Sequence, residues 1–535
     1  MPRDRIDVRE FGAVGDGVTD DTASVRAAIA ALPDGGILFL PPGGRYLIRG
    51  NNILNVDARD VTVIGYGAEL WSENSEDPET AGPAFFPQLK FRRNARLYGL
   101  SWRGGIFTIA TRRFRAFGGR SYHLHNAAFF VDKDAGVEYL KIADWEFDTS
   151  LDTSAGNYTA IQCGAQPTDP ANDLAVIEDC TFRGTAGGVN LHNFDTVRIV
   201  RMKAQGIAVN HVKTAAGARR IEISGDFDGA PVAPGSSNRH LSSPSSYMAF
   251  LSSNELREVT LDVELRNFQG ANGVYYVNTT SPIVTRGRLV ARDCSVGVFN
   301  NCPGYLKLDV DLTDCAGSAI SLASPLGVWA LRQEVTGRLF NSKMTIGNSS
   351  SNRLSHKRIE VRVVAEYDGT DGAIEAVDLS PTAGWDIDEV LVHDSHFKVT
   401  GGTAIVGEAG SFAFTIGRDN TYEGAAVNFT GDPEGGYRTG FGGGTIPLVQ
   451  RGELNLRNTL ATAVNYFFDN GKSSVGDRVR IINDGGSGVH LHLLTLDGYS
   501  NANILAPRAT IEIVKIADET NAWRTVASYG DITQR

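Results

Sequence analysis

Three groups of residues have types and spacings suited to chemistry. The first is a histidine and lysine cluster: His123, His125, Asn190, His192, Asn210, His211 and Lys213. Leu-His-Asn recurs at 124–126 and 191–193, so each of these histidines stands next to a leucine expected to point inward, and its ring is expected to face out. Histidine titrates near neutrality, which suits His192 or His211 to act as a general base on the C5 proton of a uronate. Lys213 would neutralise the uronate carboxylate. Exposed histidine and asparagine in turns would look the same and need no such role.

The second group is a charge ladder. Aligning three apolar-alternating segments puts Asp262, Arg288 and Asp309 at equivalent outward positions, with Thr260, Arg286 and Lys307 beside them and Glu264 and Asp311 on the other side. Neighbouring strands lie about 4.8 Å apart, so Asp262 and Asp309 would stand roughly 9 to 10 Å apart with Arg288 between them. That approaches the carboxylate separation of an inverting glycosidase, in which one acid protonates the leaving oxygen and the other activates water. Alternating signs also relieve repulsion between stacked strands, a purely structural use. The third group is aromatic: Tyr247, Phe250, Tyr275 and Tyr276 fall on successive segments, where exposed rings would stack on sugars and strand alternation assigns about half to the core. No cofactor is expected, and calcium, though possible, has no supporting motif. There is no CxxC pair and no dense aspartate cluster with calcium-loop spacing, and Asp226-Phe-Asp228-Gly reads as a turn.

The elements that would carry these residues are short strands in a repeat. Val137–Ile142, Val197–Val200, Val259–Leu265, Leu306–Leu312 and Ile359–Val363 alternate apolar and polar residues between glycine or asparagine turns. Ile177, Ile199 and Ile221 recur at intervals of 22 residues, and Val263, Leu289 and Val310 at 26 and 21. A period in this range with one apolar face is the mark of a β-solenoid. A second strand set follows: Ala160–Cys163, Gly188–Asn193, Gly206–His211, Gly273–Val277 and Ala319–Leu322. Cys180, Cys294 and Cys315 each follow an aspartate, and the last two stand 21 residues apart, so buried free thiols at equivalent corners of successive coils are expected.

The chain opens on a distinct motif. Phe11-Gly-Ala-Val-Gly-Asp-Gly17 is a glycine-rich irregular path, and Thr19-Asp-Asp-Thr22 follows it. Thr19 or Asp20 suits the cap of a helix whose face carries Val25, Ala28, Ile29 and Leu32. Pro33–Gly36 ends that helix, and Ile37–Leu40, Pro41–Gly44 and Tyr46–Ile48 read as strand, turn, strand. From Phe11 to Gly43 this resembles the opening motif of the pectate-lyase-like superfamily of right-handed parallel β-helices, in which the helix closes the N-terminal end of the solenoid. The resemblance is specific for fold and weak for reaction.

The fold class expected is therefore all-β: a right-handed parallel β-helix with a short capping helix and a small C-terminal β-sandwich. Residues 1–50 would form the cap and first coil, 51–440 the β-helix, and 446–535 a domain for trimerisation or carbohydrate binding. The resemblance implies a phage tailspike-type depolymerase that cleaves a bacterial surface polysaccharide (capsule, exopolysaccharide or O-antigen), as a glycoside hydrolase ahead of a polysaccharide lyase. A secreted lyase or epimerase acting on a uronate polymer, and a non-catalytic glycan-binding spike, are the alternatives. Ala506–Ile513 and Ala522–Val526 loosely resemble the terminal β-domains of phage tail proteins, which implies a homotrimer attached to a virion tail or adaptor protein.

Net charge is −11, which disfavours a nucleic-acid partner. No apolar run is long enough to span a membrane, and MPRDRIDVREF lacks the apolar core of a signal peptide. The expected location is the virion tail or the extracellular space, reached either without Sec-type export or with a signal already trimmed away.

Overall fold

The structure is a computed structural model. It describes residues 4–50, 53–72, 87–122, 127–150, 159–163, 171–215, 217–234, 242, 245–268, 272–276, 282–294, 298–300, 304–315, 318–322, 330–345, 355–368, 375–379 and 386–399, and beyond 400 the strands together with Asn420. His123, His125 and Cys302 lie outside the described residues. Two compact units are present, Met1–Ser281 and Pro282–Arg535.

The first unit begins as the motif requires. The helix is Thr22–Ala30, with Val25, Ala28 and Ile29 buried. Asp21, rather than Thr19 or Asp20, is the residue before it, and its carboxylate does not cap the helix. It reaches back and accepts from the backbone N–H groups of Val14 (2.6 Å) and Gly15 (3.0 Å). Asp20 accepts from the Thr22 N–H at 3.0 Å, and Asp16 accepts from the N–H groups of Val18 and Thr19. The acidic run therefore ties the glycine path to the start of the helix.

Parallel coils follow. Each coil gives one strand to a narrow sheet: Ile53–Val56, Gln88–Phe91, Ile106–Ile109, Phe129–Val131, Thr159–Cys163, Gly187–His192, Asn210–Ala215, Tyr247–Ser252 and Asn272–Tyr276. The same coils give one or two strands to a second, wider sheet. In a typical coil Tyr139–Ala143 and Glu146–Asp148 are separated by Asp144, which sits in the left-handed region at φ 52°. Asp60, Asp179, Asp293, Asp314 and Asp394 adopt the same conformation, which aspartate tolerates better than most residues because its short side chain bonds locally. This explains the Asp-Cys pairs. The aspartate makes the corner, and Cys180, Cys294 and Cys315 turn inward as buried free thiols. Ile177 pairs with Ile199 as the spacing implies, whereas Ile221 pairs with Val197, a two-residue slip that keeps the apolar face inward.

The core between the two sheets is aromatic in its first coils. Phe129 is fully buried, with ring centroids 5.0 Å from Phe107 and 5.0 Å from Trp145. Trp145 Nε1 donates to Ser121 Oγ at 3.0 Å. A Phe129→Ala change is expected to cost about 3–5 kcal/mol, because closely packed rings from three coils cannot close the void. A shift of the denaturant midpoint would measure it.

The second unit continues with the same pattern, pairing Ile283–Arg292, Gly304–Thr313, Ala330–Phe340 and Ser355–Tyr367 in parallel. Parallel pairing goes further along the chain than the expected boundary near 440. Glu453–Asn458 pairs in parallel with Arg478–Asn483, and Val464–Phe468 with Val489–Thr495. Among the described residues Thr439–Gly440 and Gly443–Ile446 pair antiparallel, and antiparallel pairing then dominates from Gly498–Leu505 through Ala509–Lys515, Trp523–Tyr529 and Ile532–Gln534.

Candidate functional site

The narrow sheet of the first unit carries a column of outward residues fixed by register. Gln162, Asn190, Lys213, Phe250 and Tyr275 occupy equivalent positions on successive coils. A second column three residues earlier contains Thr159, Gly187, Asn210 and Tyr247. Between the two columns, two consecutive residues turn inward on each of four strands: Gly188 and Val189, His211 and Val212, Met248 and Ala249, and Gly273 and Val274. Strict alternation is therefore broken at the start of these strands.

That break corrects the expectation for His211. It is fully buried, with Nε2 2.9 Å from Ser245 Oγ and its ring packed against Phe227 and Phe268. Burial lowers its pKa to about 3, so it is a neutral core imidazole with no path to a substrate. His192 does face out, half-buried, with Nε2 2.6 Å from Asn190 Oδ1. An amide oxygen only accepts, so Nε2 carries the proton and Nδ1 keeps a lone pair. Burial, with the charge of Lys213 adding to it, holds the His192 pKa below its ordinary value, so the ring is neutral at neutral pH.

Lys213 is half-buried on the rung next to Asn190, and its Nζ lies 5.9 Å from the Phe250 ring centroid. Among the described residues no carboxylate lies within ion-pair distance of it. The three exposed-face rings form one platform. Tyr247 stacks on Tyr275 at 5.7 Å and 27°, and Phe250 packs edge-on to Tyr247 at 5.2 Å. Tyr276 alone of the four is in the core, fewer than the half that strand alternation led one to expect. A depression of about 180 Å³ is lined by Thr159, Gly187, Asn190, Asn210 and Lys213. A Cβ at Gly187 would stand 2.8 Å from Thr159 Oγ1, so a larger residue in the floor would have to turn the Thr159 side chain. Asn210 Oδ1 is buried there without a hydrogen-bond partner. The arrangement combines a neutral base, an unneutralised cation, amide groups and a stacking surface.

The charge ladder lies on the wider sheets and is divided between the units. Asp262 is exposed opposite Ser224 in the first unit. In the second, Arg288 and Asp309 are exposed and directly paired, with Thr336 on the far side of Asp309. The second unit also holds paired carboxylates that sequence reading missed. Glu334 and Glu360 are adjacent in register, with Arg362 2.6 Å from Glu334 and Arg332 2.9 Å from Glu360. Burial raises the Glu360 pKa, but the His393 hydrogen bond and the Arg332 charge outweigh it and hold the group below the usual range. Glu360 therefore stays ionised at neutral pH, a structural anchor rather than a proton donor. Among the described residues no group of His, Cys, Asp and Glu is arranged to hold a metal, and no helix is long and apolar enough to cross a membrane.

Residues 5–70 match the family described as rhamnogalacturonase A/epimerase, pectate lyase-like. No curated protein matches. Among solved structures the chain is similar to PfbA, a surface adhesin of Streptococcus pneumoniae, at 12% identity over 80% of this chain and 92% of that one, with a TM-score of 0.35. It is similar to the mannuronan C-5 epimerase AlgE4 A-module of Azotobacter vinelandii at 15% identity, over 80% and 97%, with a TM-score of 0.31. The tailspike gp61 of Pseudomonas phage phi297 matches at 9% identity, over 76% and 82%, with a TM-score of 0.32.

Proposed function

We propose that this pectate-lyase-like β-helix protein acts on an acidic polysaccharide along the narrow-sheet face of its first unit, by removing the C5 proton of a uronate. The observation that carries the reading is the pair His192 and Lys213: a neutral imidazole with Nδ1 free to accept, one rung from a cation that lacks a carboxylate partner among the described residues. Lys213 meets the uronate carboxylate and stabilises the charge that develops as C5–H breaks. The proton passes to His192 Nδ1. In elimination the electron pair forms C4=C5, the C4–O bond breaks, and the leaving oxygen takes a proton from solvent. In epimerisation a proton returns to C5 on the other face. Proton abstraction is favoured over hydrolysis because this face carries no carboxylate pair among the described residues.

The test is incubation of polygalacturonate, alginate and acidic bacterial capsules in D2O. Deuterium entering C5, or ultraviolet absorbance of unsaturated uronate rising with reducing ends, is the expected result. Reducing ends alone would mean hydrolysis and would return Asp262 and Asp309 to the centre. Binding without any change in the polymer would make the protein a glycan-binding spike.

The platform should govern affinity. Tyr247→Ala and Tyr275→Ala are each expected to raise KM about tenfold, equivalent to about 1.4 kcal/mol of lost stacking, with kcat little changed. Initial-rate kinetics on one polymer would check it. A virion-borne homotrimer, as in tailspike-type depolymerases of bacterial surface polysaccharides, is a separate part of the proposal. The terminal antiparallel strands from Gly498 onward support it, and a monomer by sedimentation would remove it.

A further inference from the structure

The wider sheet of the first unit carries a second set of outward residues that the narrow-sheet site does not use. Register places Arg96, Arg115 and Lys141 on successive rungs, about 4.8 Å apart. Lys141 has a partner, Glu178, at 2.6 Å. Arg113, two residues before Arg115, pairs with Glu138 at 2.9 Å. Arg96 and Arg115 have no carboxylate within ion-pair distance among the described residues. Like charges on directly opposed positions destabilise a sheet unless something lies between or above them. Both glutamates nearby are already shared, Glu138 with Arg112 and Glu178 with Arg201. A local excess of positive charge therefore stands on a chain whose net charge is −11.

Aromatic rings flank the two arginines on both sides. Tyr98 and Phe117, two residues along each strand, are half-exposed and stack at 5.3 Å and 14°. Tyr139 lies beneath the Arg115 guanidinium, 5.1 Å from it. Asp60, Asn94, Arg96, Arg113 and Arg115 line a depression of about 120 Å³. Its one carboxylate, Asp60, accepts from Asn94 Nδ2 at 3.4 Å.

We infer that this face is a second binding site, for the anionic substituent of an acidic oligosaccharide. The guanidinium groups of Arg96 and Arg115 hold a carboxylate or sulfate, and the Tyr98–Phe117 pair stacks on an adjoining sugar ring. A guanidinium row one residue wide suits a single line of charged sugars running from coil to coil. Nucleic acid also stacks on rings, but it requires a broad basic surface that a chain of this charge does not offer. The inference shares the acidic-glycan class with the function proposed above but needs no reaction, because the two faces bind independently.

The probes are a polygalacturonate octasaccharide, a heparin-derived octasaccharide, neutral dextran and a 12-nucleotide single-stranded DNA, titrated calorimetrically into the full chain. An acidic octasaccharide, carboxylated or sulfated, should bind the wild type and the Lys213→Met variant at the same wider-sheet site. The Arg96→Ser/Arg115→Ser double variant should lose at least tenfold in affinity, and Arg96→Lys/Arg115→Lys should lose less than the serine variant. Arg115 is exposed, so Arg115→Ser alone serves if the double variant unfolds, with an expected loss of about threefold. Unchanged binding in the serine variants, equal binding of dextran, or tighter binding of the DNA would overturn the inference. Loss of all binding in Lys213→Met alone would overturn it too, while supporting the narrow-sheet site.

Discussion

His192→Ala is expected to lower kcat on a uronate polymer by a factor of about 10² to 10⁴, the contribution of a positioned general base. The effect should fall on kcat and kcat/KM together, because the imidazole acts on the proton being transferred rather than on ground-state binding. Folding should survive, since the ring is half-buried and its polar contact at 2.6 Å is to Asn190 on its own strand. The pH profile gives a second, independent reading. Burial and the Lys213 charge both disfavour the imidazolium, so the acid limb of kcat/KM should lie below the ordinary histidine value of about 6.5. Lys213→Met removes one of those two causes. It should move the acid limb upward while also slowing turnover, because the uronate carboxylate is then no longer neutralised. An acid limb that stays in place in Lys213→Met, or a His192→Ala variant with wild-type turnover, would remove the base assignment.

The fold was legible because its signals are local. The glycine path, the acidic run and the helix face between Phe11 and Leu32 sit within one stretch, and the Asp-Cys pairs mark corners that need a left-handed residue. The helix start was displaced because Asp21 serves the loop behind it rather than the helix ahead, a choice made by tertiary contact with Val14 and Gly15. The site was legible in part. Lys213, His192, Tyr247 and Tyr275 reach the outer face together, whereas His211 does not. Simple alternation counts inward and outward by twos, but here Asn210 and Lys213 both face out across two inward residues. The same three-residue step separates Tyr247 from Phe250, so aligning these two strands contained the signal. Arg96 and Arg115 were invisible for a different reason. Each is an ordinary outward residue on its own strand, and only the register between coils makes them neighbours. The same holds for Glu334 and Glu360, whose roles are set by the arginines of adjacent rungs.

Below the site, His211 should make the first unit sensitive to acid. In the folded protein its pKa is about 3, lowered by burial alone, whereas in the unfolded chain it is about 6.5. The depressed folded value means that the unfolded state binds the extra proton first. The stabilisation that comes from keeping this ring neutral is therefore complete above about pH 6.5 and is lost as pH falls toward 3. The slope approaches one proton, or about 1.4 kcal/mol per pH unit, for a total on the order of 5 kcal/mol. Local opening of the Asn210–Ala215 strand would let the ring protonate before global unfolding and would reduce that figure. Among the described residues nothing retains an imidazolium: Phe227 and Phe268 pack its ring, Ser245 Oγ is its one hydrogen-bond partner, and Nδ1 has none. His211→Gln keeps a polar group that can meet Ser245 but cannot titrate. Its stability should change far less between pH 6.5 and 4 than that of the wild type, even if it is lower at pH 7. Denaturant midpoints of both proteins across that range would decide. Parallel curves would mean that His211 charges without cost, and that the core around His211 is wetter than its packing against Phe227 and Phe268 implies.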